Sequence, residues 1–300
     1  MNPITHEILL KRVTQFGNLP AMSKVLRSLN EELSVPVGQV NVDRLVQIIS
    51  YDKSLAAQCL RMANSALYRQ RGDVKTISEA VLTLGILRIR DLIFSCTLPR
   101  IFTSPHGIVP KEVFWRHALA TALVSQKLSE EFAASAHENI YIAGLLHDIG
   151  ILINALLFPE DFHEVVKQAV TKQSSILSVE ERVLGFTHAE SGRLLADAWK
   201  LPLEVSEAIE FHHAPDRQTP DGEAARIVHV ADQLCLSSEM GYGYELREGE
   251  VLSFDQAWYA LGEALPRAQR VRSQEIAALV ISTLASARDL ADRVFGPLPR

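Results

Sequence analysis

The sequence predicts an all-α protein, and three observations carry that expectation. Apolar residues recur at three- and four-residue spacing along almost the whole chain, as in Leu55, Cys59, Met62 and Ala63. Helix starts are well marked. Thr76-Ile-Ser-Glu79, Ser178-Val-Glu-Glu181 and Thr187-His-Ala-Glu190 each carry the capping-box pattern, in which a side-chain oxygen and a glutamate satisfy free amide groups of the first turn. No segment shows the two-residue alternation of a half-buried strand, and no internal repeat or low-complexity tract is present.

In chain order, residues 4–16 read as a short first helix, ended by Gly17-Asn-Leu-Pro20, and Pro20 suits the start of a second over 21–34. Pro36 and Gly38 break the chain, and Asn41 is placed to cap Val42–Ile49. Asp52-Lys-Ser54 opens a helix from Leu55 to Tyr68. After the polar loop Arg69–Asp73, the Thr76 capping box opens another that runs towards Leu98. Three prolines and a glycine between Pro99 and Pro110 mark the expected boundary between an N-terminal part, 1–104, and the histidine-bearing remainder, 105–300. Helices are expected over 111–133, from Glu138 to Phe158, from Pro159 to Thr171, after Ser178, and from Thr187 to Trp199. The next starts at Pro202, carries His212 and His213, and stops at Pro215. A helix containing Asp232 follows Asp221-Gly-Glu223, and helices over 254–264 and 273–295 close the chain.

The chain has 300 residues, 47% of them hydrophobic, enough for one large or two modest domains. A net charge of −6 argues against general attraction to nucleic acid or to an anionic membrane. Cys59, Cys96 and Cys235 are far apart in apolar contexts and read as buried thiols of a reducing compartment. The N-terminus lacks a basic stretch followed by an apolar one, and polar residues interrupt the apolar runs before membrane-spanning length. The expectation is a cytoplasmic protein with no membrane contact and no direct nucleic-acid binding.

Chemistry concentrates at His147-Asp148-Ile149-Gly150, inside the apolar run Ile140–Ile153. Burying an unpaired carboxylate costs several kcal/mol or more, about enough to demand a cation, a donor or protonation. An isolated His-Asp pair is ordinarily a buried hydrogen bond. Here His117, His188, His212, His213 and Asp232 lie in helical contexts that could share a shell with it, which points to a metal site. Asp232 is a second acid in an apolar helix and would complete a shell with His117, His147 and Asp148. Such a mixed imidazole and carboxylate set suits Fe, Mn, Zn or Ni. One or two divalent ions are expected, and two sharing Asp148 would lie about 3.5–4 Å apart, the spacing of two-metal phosphoryl chemistry. Phe114 and Trp115, just before His117, should be buried. His6, His106, His137 and His163 read as surface residues, and His229, three before Asp232, as a buried residue or else as one standing behind the ligands. Arg69, Arg71, Arg88, Arg90 and Arg100 form a loose basic group, read as a solvated face or as a docking surface for an acidic partner or a nucleotide.

The stretches Asp52–Tyr68, Thr76–Gly85, Phe114–His117, Gly144–Gly150, Glu181–Glu190, Ala208–Pro215 and Ala231-Asp232 together resemble the HDOD family, the HD-related output domains of bacterial signalling proteins. The resemblance covers roughly residues 15–240. It implies an N-terminal helical subdomain packed on an HD-like helical bundle, and a regulatory role exercised through signalling-protein partners. A more distant likeness is to the HD-GYP cyclic-di-GMP phosphodiesterases. By motif, that likeness puts metal ligands at His117, His147, Asp148, His188, His212, His213 and Asp232. Two departures count against that activity. Ile151 stands where those enzymes have a lysine, and His213 is followed by Ala214-Pro215 in place of the Gly-Tyr-Pro signature. The alternative function is a metal-dependent phosphohydrolase acting on a nucleotide or cyclic dinucleotide.

Overall fold

The computed structural model describes residues 6–17, 39–68, 72–102, 107–132, 138–215, 222–238, 240–241, 259, 262, 265, 268 and 271–296. The helix expected over 21–34, Arg69, Arg71, His106, His137 and most of 254–264 lie outside them. Among the described residues the regular elements are helices, in agreement with the all-α expectation.

The chain divides into two compact units, Met1–Asn18 with Thr103–Leu284, and Leu19–Phe102 with Ala285–Arg300. The second unit holds α2 (Val42–Tyr51), α3 (Lys53–Ala63), α4 (Ile77–Leu84) and α5 (Ile86–Ile101). Asp52 ends α2 and caps α3, accepting from the amides of Ser54 and Leu55, and also pairs with Arg100 at 2.9 Å. The Thr76 capping box forms as expected. The helix it opens does not run on to Leu98, however. Gly85, at φ +81°, ends α4, and α5 begins at the next residue and continues through Pro99. A positive φ suits glycine, so the break sits where the chain can make it without strain. Arg90 is buried against Asp91 at 3.1 Å, so the basic group is not one solvated face.

The first unit contains α1 (His6–Gly17), α6 (Lys111–Phe132), α7 (Ile140–Leu146), α8 (Ile149–Leu157), α9 (Pro159–Lys172), α10 (Ile176–Val183), α11 (His188–Ala198), α12 (Leu203–Phe211) and α13 (Gly222–Leu236). The long α14 (Ser273–Phe295) contributes its residues to both units. α6 is the central helix, buried on nearly every side, with Phe114 and Trp115 enclosed at its start. It packs on α7 and α13, while α11 packs on α8 and α12. The second expected capping box does not form. Buried Ile176 and Val179 pull the chain into helix earlier, so Ser175 becomes the N-cap. Ser178 then donates its hydroxyl back to the Ser175 carbonyl at 2.8 Å, and Glu180 faces inward.

The stretch Ile140–Leu157 is long and apolar enough to cross a membrane, contrary to the reading of its run length, yet 89% of it is buried inside the fold. Its mean hydropathy of 1.8 reflects a core segment. Cys59, Cys96 and Cys235 are buried free thiols, as expected. Burial raises both the Cys96 and the Cys235 thiol well above the usual range.

Candidate metal centre

The expected helix from Glu138 to Phe158 is interrupted at His147-Asp148, where a turn separates α7 from α8. His147 folds its ring back so that Nδ1 donates to the Gly144 carbonyl at 2.8 Å, and Asp148 closes the turn by accepting from the Ile151 amide at 2.9 Å. Two glycines allow the turn to sit deep in the bundle. A Cβ at Gly144 would lie 2.8 Å from the Ala122 Cα on α6, and one at Gly150 would lie 1.8 Å from the His188 carbonyl oxygen. Close approach of α8 to the start of α11 therefore requires glycine at 150, and it presses the His-Asp turn against the helix that carries His188.

The structure brings together all seven residues singled out in the sequence. Asp148 lies between two groups of imidazoles. Its Oδ2 is 3.0 Å from His147 Nε2 and 3.9 Å from His117 Nε2. Its Oδ1 is 3.2 Å from both His188 Nε2 and His212 Nε2. Asp232, from α13, joins the first group, with Oδ1 3.1 Å from His117 Nε2 and 3.7 Å from His147 Nε2. His213 joins the second, with its Nε2 3.0 Å from His188 Nε2 and its ring against that of His212. Half-buried His213 is the most open member, while His117, His147 and His212 are fully enclosed. His212 is the last residue to follow the α12 helix, and His213 lies in the turn beyond it.

The other ring nitrogen fixes four of the five imidazoles. Nδ1 of His117 donates to the Met240 carbonyl, that of His147 to Gly144, that of His212 to Ile209, each at 2.8 Å. Nδ1 of His188 donates to the Glu180 carboxylate at 2.7 Å. These acceptors have no proton to give, so each neutral ring keeps a lone pair on Nε2, aimed at the shared centre. Donors bound side by side to one ion at about 2.1 Å stand about 3.0–3.4 Å apart. The spacings of 3.0–3.3 Å between Nε2 of His117 and His147, of His188 and His213, from Nε2 of His147, His188 and His212 to Asp148, and from Nε2 of His117 to Asp232 have that size, while His117 to Asp148 and His147 to Asp232 are longer at 3.9 and 3.7 Å. Nε2 of His212 is buried and, among the described residues, makes no well-aligned hydrogen bond, although Asp148 is 3.2 Å away. This donor set fits divalent metal. Asp148, His188, His212 and His213 could hold one ion, and His117, His147 and Asp148 another.

Protons compete for the same lone pairs. Burial pushes the His147 imidazole down, but the Asp148 carboxylate and the hydrogen bonds to Asp148 and Asp232 override it and hold it up at about 10. His188 is likewise lowered by burial and raised by Glu180 and Asp148, to about 10. Asp148 and Asp232 are opposed by burial but held well below the usual carboxylate range by the surrounding imidazoles. Burial, with neighbouring imidazolium charge, keeps His212 and His213 low.

Some participants were not read from the sequence. Glu180 was masked by its place in an apparent capping box. The Met240, Gly144 and Ile209 carbonyls carry no residue-type signal at all. His229, expected to be buried or else to stand behind the ligands, is half-buried and donates Nδ1–H to the His212 carbonyl at 2.7 Å, steadying the His212-His213 turn. His6 and His163 are exposed, as expected.

The sequence signature of the HDOD domain matches residues 19–215. Among solved structures, an HDOD domain protein of unknown function from Geobacter sulfurreducens superposes with a TM-score of 0.77 at 23% identity, covering 95% of this chain and 99% of its own. A candidate phosphohydrolase from Shewanella amazonensis SB2B gives 0.76 at 23% identity, covering 95% and 97%. These likenesses establish the fold. An uncharacterised protein of Treponema pallidum (strain Nichols) is 26% identical over 211 residues, which is 69% of this chain and 40% of that protein's length.

Proposed function

The chain belongs to the HDOD domain family, and from that membership we propose a cytoplasmic regulatory protein that acts through signalling-protein partners while retaining an HD-type metal shell at its core. The observation that carries this reading is the enclosure of the shell. His117, His147 and His212 are wholly buried, and Asp148 and Asp232 are 5% and 3% exposed. Buried donors of this kind tie α6, the α7–α8 turn, α11, α12 and α13 together, which is a structural task. Turnover would also need a cation aimed at the oxygens of the substrate. Ile151 occupies the position where the phosphodiesterase relatives carry lysine, and it is 1% exposed.

The completeness of the donor set favours a second reading, a metal-dependent phosphohydrolase acting on a nucleotide or cyclic dinucleotide. A divalent pair would there supply a Lewis acid that polarises a phosphate oxygen. In that reading the chain's own contribution is to orient four of the five imidazoles through their outer hydrogen bonds, and to leave half-buried His213 nearest the solvent side.

The deciding experiment measures Fe, Mn, Zn and Ni in protein purified without chelator, then follows cyclic-di-GMP cleavage with each metal, using Asp148→Ala as the blank. Bound metal with no turnover above the blank is expected. Robust turnover that disappears in the blank would replace the regulatory reading by the hydrolase one.

A further inference from the structure

Glu180 is absent from the ligand set, yet it is the most completely enclosed carboxylate among the described residues, with no exposed surface. Its Oε2 accepts both the main-chain N–H of His188 at 2.9 Å and the Nδ1–H of the same residue at 2.7 Å. Its Oε1 accepts from the Asn154 amide at 3.2 Å. A carboxylate buried to this degree is tolerable only with such donors around it. The arrangement also separates the two halves of the centre. His117, His147 and His212 lean on main-chain carbonyls, whereas His188 leans on a charge. The half formed by His117 and His147 faces two carboxylates, Asp148 and Asp232. Among the described residues, the carboxylate beside the Nε2 atoms of His188 and His212 in the other half is the shared Asp148.

We infer that Glu180 is a positioning residue for the second half-site. It locks the His188 ring with Nε2 towards Asp148, and it supplies through that ring the negative charge that Asp232 supplies directly to the first half-site. A carboxylate behind a ligating imidazole fixes its tautomer and strengthens it as a donor, and losing such a partner commonly weakens metal binding about 10- to 100-fold. The inference rests on the metal shell proposed above.

The test titrates Zn into chelator-stripped wild type, Glu180→Gln, Glu180→Asp and Asp232→Asn, with elemental analysis of the loaded proteins. Wild type should take two ions. Glu180→Gln should keep one affinity and lose at least about tenfold in the other, within the range expected for an outer carboxylate. Glu180→Asp, which keeps the charge, should lose less, and Asp232→Asn should weaken the opposite site. Equal weakening of both sites in Glu180→Gln, or none, overturns the inference and leaves the metal shell standing. A single ion in wild type also overturns it alone, because no second half-site would exist. No uptake by wild type removes the inference and the metal shell together. Should Glu180→Gln fail to fold by circular dichroism, a long-range proton–nitrogen spectrum of wild type decides. His188 protonated on Nδ1 and bare on Nε2 supports the inference, and the opposite tautomer overturns it.

Discussion

Asp148 sits with one oxygen towards His147 and the other towards His188 and His212, so the charge state of the whole centre turns on a few buried groups. In the folded protein His147 and His188 are held up at about 10, against an ordinary value of 6.5. Their contribution to stability is therefore complete below pH 6.5 and lost as pH rises through about 10. His212 and His213 are held down, as are Asp148 and Asp232, and these act in the opposite sense. Their contribution is present above the ordinary values of 6.5 and 3.8 and fades as pH falls. Chelator-treated protein should accordingly melt highest near pH 6.5 and lower on both sides. Saturating Zn should move that maximum upward, because the ion replaces the protons on His147 and His188. Thermal melts across pH with and without Zn check this, and a flat profile between neutrality and alkaline pH would refute the assignment. Gly150 gives a second expectation. A methyl group there would meet the His188 carbonyl oxygen at 1.8 Å, with backbone on both sides of the clash. Gly150→Ala should cost at least the upper end of the roughly 1–3 kcal/mol typical of overpacking, seen as a fall in melting temperature together with weaker Zn binding.

Helix caps do two different jobs in this chain. Thr76 and Thr187 both form complete capping boxes, the first opening α4 in the second unit and the second opening α11 with His188 as its first residue. Removing either hydroxyl should cost about 1 kcal/mol. Thr187→Ala should also loosen the turn that sets His188, and so weaken Zn binding, whereas Thr76→Ala should leave Zn affinity untouched. Denaturant melts and Zn titration on the two variants separate these effects, and equal Zn affinity in both would show that the α11 start does not control the centre. Both caps were legible because a capping box is a local pattern whose partners lie three residues apart. The Ser178 pattern was equally good locally and did not form, because burial of Ile176 and Val179 drew the helix start forward. The α7–α8 break was illegible for the same kind of reason. The run Ile140–Ile153 holds no proline, and its two glycines stand at 144 and 150, off the His147-Asp148 break itself. The interruption comes from the His147 ring turning back to Gly144 and from α11 packing against Gly150.

Across the first unit the centre gathers side chains from α6 to α13, so an ion held there would cross-link helices far apart in sequence. Binding to the folded chain alone stabilises it by about 2.7 kcal/mol at a ligand concentration about 100 times the dissociation constant. For a unit of this size that corresponds to roughly 5–10 °C in melting temperature. Zn should raise the melting temperature of the chelator-treated protein by that amount, and Asp148→Ala should abolish the rise, since both halves of the centre lose their common carboxylate. A Zn-induced shift that persists in Asp148→Ala would remove Asp148 from the bridging position.

Sequence alone determined the all-helical class, most helix positions and the identity of the gathered residues. Each of those rests on local information: spacing of apolar residues, hydroxyl and glutamate caps, and polar side chains standing in apolar runs that cannot be buried without partners. Tertiary structure alone decided how those residues divide, with His117, His147 and Asp232 on one side of Asp148 and His188, His212 and His213 on the other. It also decided what stands behind them. A main-chain carbonyl such as that of Met240 is chemically the same at every position, and Glu180 looks like any helix-start acid until its helix is packed. Which of these groups meets an imidazole depends on helix-to-helix approach, set by glycines and small residues in the core, and no local pattern encodes that distance.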